Sequence, residues 1–72
     1  MMKEFEVLAK NLRILRKDFG YTQTDVAKAI GITYQSYQAY ELGITTPNLK
    51  NFIRLAEFYD VSLDYLIGKK DI

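Results

Sequence analysis

A chain of 72 residues is one domain, and at that size folding removes only about 60% of the unfolded surface from water, so its stability is modest. It contains no cysteine and no histidine, which excludes a disulfide framework, a thiolate zinc site, a cysteine nucleophile and the commonest general base. Ten Lys/Arg against nine Asp/Glu leave a formal net charge of +1, far from the basic stripe of a protein that holds nucleic acid by charge alone.

These absences make an enzyme unexpected, and no cofactor, metal or small-molecule ligand is expected. The apolar runs are a few residues long, well short of the roughly 20 that a membrane span needs, and the first residues lack a signal-peptide core. A cytoplasmic protein without membrane association is the expectation. The charge is unevenly spread: residues 1–28 carry most of the cations, whereas residues 29–49 contain Glu41 alone.

Taken in chain order, Phe5, Leu8, Leu12, Leu15 and Phe19 recur at spacings of three and four and predict a first helix over residues 4–18, ended by Gly20. Thr22 supplies an N-cap hydroxyl for a second helix, with Asp25 placed to return the bond and to meet the positive helix end. Tyr21 and Val26 flank that cap as a hydrophobic staple, and Val26, Ala27 and Ile30 give the helix an inner face that runs into Gly31. Thr33 repeats the capping logic, with Ile32 and Tyr37 as a second staple, and predicts a third helix over 34–41 closed by Leu42 and Gly43.

Residues 44–47, with their β-branched side chains and Pro47, predict a loop. Asn48 caps a fourth helix whose apolar positions are Leu49, Phe52, Ile53, Ala56 and Tyr59, widened by Leu55 and Phe58. Asp60-Val61-Ser62 interrupts it, and Leu63, Leu66 and Ile67 form a short fifth helix before Gly68, with 69–72 expected to fray. The whole chain, 1–72, reads as a single all-α domain of five short helices.

Counted from Gln23, the middle helices place Val26, Ile30, Ile32, Tyr37 and Tyr40 at apolar positions, Ala27 at a small one and Gly31 at a reversal. Two helices crossing steeply through a tight turn need this set: a small residue where they touch, a glycine where the chain reverses, and apolar residues toward the supporting helix. The sequence thereby resembles the phage repressor/Cro, or XRE, helix-turn-helix family, with the motif at about 22–42. The resemblance rests on Leu15-Arg16, Gly20-Tyr21-Thr22-Gln23, Ala27, Gly31, Ser36, Tyr40-Glu41, Gly43, Pro47, Leu49, Ala56 and the run from Val61 to Leu66. It implies a five-helix domain that binds double-stranded operator DNA as a homodimer and regulates transcription, as a repressor.

Within that resemblance the segment Thr33 to Tyr40 acquires a meaning, because it carries no charge at all. Base edges in the major groove are donors, acceptors and thymine methyls, which uncharged amides and hydroxyls suit. Tyr34, Gln35, Gln38 and Ala39 are the expected base-edge residues, with Gln35 or Gln38 able to pair with adenine N6 and N7. Thr33 and Ser36 are expected at phosphates, and Gln23 is assigned a phosphate contact by the family's motif at a helix start that already favours an anion. Lys17, Lys28, Thr46, Asn48, Lys50 and Asn51 are further phosphate candidates.

The resemblance also implies an ion pair between Arg16 and Glu41, with a structural role. Tyr37 stands where the family usually has Ile or Val, so its expected place in the core requires room or a partner for the hydroxyl. Tyr40 is expected inward, and Asn11 departs from a position where the family often has Arg. Phe58, Tyr65 and Ile67 are expected to form an apolar dimer contact, against the alternative of a satellite of the core. A second functional reading stays open at this point: a helix-turn-helix module whose Tyr/Gln face binds another protein, as a partner-binding regulator or in an antitoxin role.

Overall fold

Helix starts in this protein are set by side chains that replace the hydrogen-bond partners a first turn lacks. A computed structural model describes residues 3–69, in which Thr22, Thr33, Asn48 and Ser62 each accept from a backbone N–H three residues on. They open α2 (Gln23–Ile30), α3 (Tyr34–Leu42), α4 (Leu49–Tyr59) and α5 (Leu63–Leu66), which follow α1 (Lys3–Phe19). At α2 the box is complete, since the Thr22 N–H also donates to Asp25 Oδ2 at 2.8 Å, and the bonds from Thr22 hold the Asp25 carboxyl below its ordinary value. The predicted fold class and element order are observed, and the structure matches the expected boundaries to within a residue.

The core is built from Leu8, Leu12 and Leu15 of α1, Val26, Ala27 and Ile30 of α2, Tyr37 and Tyr40 of α3, Leu55, Ala56 and Tyr59 of α4, and Leu66 of α5. α3 packs between α1 and α2, and α4 lies across α2 and α5. Two expected stripes are corrected by this packing. Phe5 and Phe19 lie outside the core, Phe19 being 50% exposed, while Ala9 is buried. The fully buried positions of the stripe fall on the middle turns of α1, and its two ends are left partly exposed. Phe19 joins an aromatic group instead, 6.0 Å from the Tyr21 ring and 5.6 Å from Tyr59, with Tyr21 in turn against Phe58.

On α4 the buried face runs through Leu55, Ala56 and Tyr59, with Phe52 half-buried, and leaves Leu49 70% and Ile53 39% exposed. The apolar positions of this helix span more arc than its neighbours cover, so α2 and α5 select which part is inside.

The C-terminal end is tied down where fraying is expected. Lys69 pairs with Glu4 at 2.8 Å and its N–H donates to the Asp64 carbonyl, while 70–72 lie outside the described residues. Asn11, unassigned by sequence reasoning except as a lost cation, donates from Nδ2 to the carbonyls of Tyr65 and Leu66, both at 3.1 Å. It thus adds a donor to the Leu66 carbonyl at the end of the short α5 and a further one to that of Tyr65, which also accepts from the Gly68 N–H. Close approach of the chain end also explains Gly68: a Cβ there would stand 2.7 Å from Val7 Cγ1. Among the described residues, no helix is long and apolar enough to cross a membrane, and no group of three or more acidic side chains could hold a metal.

Candidate nucleic-acid interface

The reversal between α2 and α3 depends on Gly31, whose φ of 79° is one that side chains with a Cβ rarely adopt. Its N–H donates back to the carbonyls of Ala27 and Lys28. From the other side Arg54 of α4 donates through Nη1 to the Ile30 carbonyl at 3.1 Å, so the last turn of α2 is closed by its own cap and by a cation suited to a helix C-terminus. Thr33 then starts α3 with its side-chain oxygen on the Ser36 N–H.

The inner face of α3 holds a buried carboxylate. Glu41 is 1% exposed and is gripped by Arg16 in a two-point contact, Nε to Oε2 at 2.7 Å and Nη2 to Oε1 at 3.0 Å. Gln23 of α2 adds a third donor, Nε2 to Oε1 at 3.1 Å, and the Tyr37 hydroxyl, one turn back on α3, also favours the charged carboxylate. Burial alone pushes the Glu41 carboxyl up, but the bonds from Arg16, Tyr37 and Gln23 outweigh it and hold the group below its ordinary value. Hydrogen bonding to Glu41 in turn raises Arg16. A buried charge is tolerable only when paired and saturated with donors, as here.

Tyr37 is fully buried, as expected, and its hydroxyl lies 3.4 Å from that of Tyr59. Burial raises both phenols, Tyr59 to about 12, so both stay neutral. The hydroxyl that made Tyr37 an unusual choice thus finds its partners in Glu41 and Tyr59. Tyr40 is buried, and its hydroxyl accepts from Asn51 Nδ2 at 3.2 Å. Arg13 donates to the Glu41 carbonyl. No buried side-chain nitrogen or oxygen among the described residues lacks a partner, so α3 is held to α1, α2 and α4 by polar contacts as well as by packing.

A helix-turn-helix family model matches residues 12–66. The chain belongs to that family. Among known relatives of this helix-turn-helix domain, the HTH-type transcriptional regulator YqaE of Bacillus subtilis is 43% identical over 61 residues, covering 85% of this chain and 53% of that protein. The regulator ImmR of the same organism is 34% identical over 65 residues, 90% of this chain and 51% of that one. The cryptic phage CTXphi transcriptional repressor RstR of Vibrio cholerae is 37% identical over 54 residues, 75% of this chain and 48% of its own. The chain therefore spans about half the length of the curated relatives it matches. Its fold superposes with a TM-score of 0.82 and 25% identity on the crystal structure of the P22 c2 repressor in complex with a synthetic operator, covering 88% of this chain and 96% of that one.

On the outer face of the helix-turn-helix, the structure brings several expected residues together. Thr33, Tyr34, Gln35 and Ser36 are exposed, and Gln38 and Ala39 are half-buried. Thr33 Oγ1 donates to Ser36 Oγ at 3.0 Å, and Gln38 Nε2 donates to the Tyr34 hydroxyl at 3.2 Å. Lys17, Lys28, Thr46 and Lys50 are exposed on other elements. Five expected phosphate residues are engaged internally: Gln23 on Glu41, Thr33 and Asn48 as caps that accept from the N–H groups of Ser36 and Asn51, Ser36 through its hydroxyl oxygen on Thr33, and Asn51 on Tyr40. The Asn51 amide still carries a second hydrogen, and so does that of Gln23. Phe58, Tyr65 and Ile67 are half-buried and pack against the core, Phe58 within the aromatic group. Sequence reasoning missed the roles of Asn11, Arg13 and Arg54, each of which donates to a backbone carbonyl far along the chain and leaves no periodic signal.

Proposed function

We propose that this domain recognises double-stranded DNA by base sequence and regulates transcription, as a repressor, acting in the cytoplasm by binding and not by catalysis. The observation that carries the reading is the outer face of α3: an exposed row of uncharged amides and hydroxyls on a helix whose inner face is anchored to α1, α2 and α4. Such a helix is rigid enough to present donors and acceptors in register with base edges, and it is free of the charges that would favour phosphates over bases. The likeness to a repressor crystallised on its operator supports the same reading.

In this reading Tyr34, Gln35, Gln38 and Ala39 face bases. Phosphates are met by Thr33, Ser36, Lys17, Lys28, Thr46, Asn48 and Lys50, and by the remaining amide hydrogens of Gln23 and Asn51. A homodimer forms through the exposed edges of Phe58, Tyr65 and Ile67 and sets two copies of α3 about 34 Å apart on one face of the duplex.

The test is selection of the purified protein on a random duplex library at near-physiological salt. Enrichment of a two-fold symmetric site with half-site centres about one helical turn apart is expected. A folded protein that enriches nothing would overturn the reading and leave the protein-binding module in its place.

A further inference from the structure

Tyr34 and Gln38 lie one turn apart on the outer face of α3, and the Gln38 amide nitrogen donates to the Tyr34 hydroxyl at 3.2 Å. Tyr34 is 40% exposed although it is among the larger apolar-bodied side chains of the chain, and Gln38 is half-buried. Neither side chain is needed by the core, which is complete without them. Two side chains that hold each other on an otherwise open surface restrict one another's rotamers before any partner arrives.

The chemistry of that restriction is specific. A glutamine amide has two hydrogens and one carbonyl oxygen. With one hydrogen on Tyr34, the other hydrogen and the oxygen remain as an adjacent donor and acceptor. That pair matches adenine in the major groove, where N7 accepts and N6–H donates. An unrestrained glutamine can swing to other torsions or present its amide reversed, and each alternative dilutes the preference for one base. The phenol of Tyr34 is stiff, with only two side-chain torsions, and so makes a good stop.

We propose that Tyr34 is a positioning residue for Gln38, and that the two read a single adenine as one unit. This rests on the DNA-binding reading above and adds to it which glutamine is preset, by what, and for which base. Gln35 is left as an independent reader of another position.

The experiment is the same random-library selection run on the wild type, Tyr34→Phe, Gln38→Ala and the double variant, with the salt dependence of binding measured for each. Tyr34→Phe keeps the ring and removes only the hydroxyl. Both single changes are expected to relax the same adenine position, Gln38→Ala by about 5- to 150-fold and Tyr34→Phe by less. The double variant should relax it no further than Gln38→Ala, the non-additivity of residues that act together. The salt slope should stay at its wild-type value, because no charge is removed.

Wild-type enrichment with a Tyr34→Phe variant that keeps full preference, or relaxes a different position, overturns the pairing and leaves the DNA reading intact. A Tyr34→Phe variant that binds all sequences more weakly to the same extent, with base preference kept, makes Tyr34 a phosphate contact and likewise overturns it. Failure of the wild type to enrich any sequence overturns both.

Discussion

Along α3, Tyr37, Tyr40 and Glu41 turn inward while Tyr34, Gln35 and Gln38 turn outward, yet both faces are polar. Inside, each hydrogen-bonding group is matched by a partner from another helix: Arg16 from α1, Gln23 from α2, and Asn51 and Tyr59 from α4. Outside, the bonds that exist are between neighbours on the same helix or its cap, Gln38 to Tyr34 and Thr33 to Ser36. Polarity on the inner face locks the helix to the domain. On the outer face it leaves hydrogen-bonding capacity facing away from the protein. In the proposed function, one short helix thus separates holding from reading by which side of it a residue occupies.

The comparison breaks most visibly at Arg16. Its replacement by alanine strands a carboxylate whose side chain is 2% exposed, and denaturant unfolding should show a loss of about 3–5 kcal/mol. DNA binding should then fall for all sequences together, as the folded fraction falls. The same carboxylate makes acid the natural probe. Because Glu41 is held below its ordinary value in the folded state, the unfolded chain takes up the proton first. Its contribution is complete above the unfolded value of about 4.3 and is lost as pH falls toward the lower folded one. Stability measured against pH below that value should fall less steeply in Glu41→Gln than in wild type, with a residual slope from Glu4 and Asp25, which are also lowered.

Tyr37→Phe tests the inner face more gently. It removes one donor from Glu41 and the neighbour of the Tyr59 hydroxyl while keeping the ring that fills the core. A loss of about 1–3 kcal/mol in unfolding free energy is expected, with base preference in selection unaltered. Unchanged stability would mean that the ring alone accounts for Tyr37.

Gln35→Ala should do the reverse, leaving stability alone and costing about 1–3 kcal/mol of discrimination at one base position. Lys50→Ala, beside it as a control, should weaken binding to all sequences alike and reduce the salt slope by about one. Equal losses across sequences for both changes would erase the distinction between the two faces.

How much of this was legible in the sequence follows from the range of each interaction. Helix starts at Thr22, Thr33, Asn48 and Ser62 were readable because a cap acts within three residues of itself. The turn at Gly31 was readable for the same reason: its backbone angle excludes most other residues. The family pattern added the Arg16–Glu41 pair, which is observed. Beyond that range the reading was uneven. Phe5, Phe19, Leu49 and Ile53 carried the right period but sit where the rest of the fold covers them only in part, and period says nothing about coverage.

Sequence by itself determined the five helices, the sharp reversal between the middle two and the uncharged character of α3, since each follows from neighbouring residues and backbone sterics. Tertiary structure alone decided that Gln23 joins Arg16 on Glu41, that Asn11 closes the far end of the chain, and that α4 buries Leu55 in preference to Ile53. Those outcomes depend on which faces meet across 18 to 55 residues of chain, and a hydrogen bond or an apolar contact has no sequence signature until folding brings its two halves together.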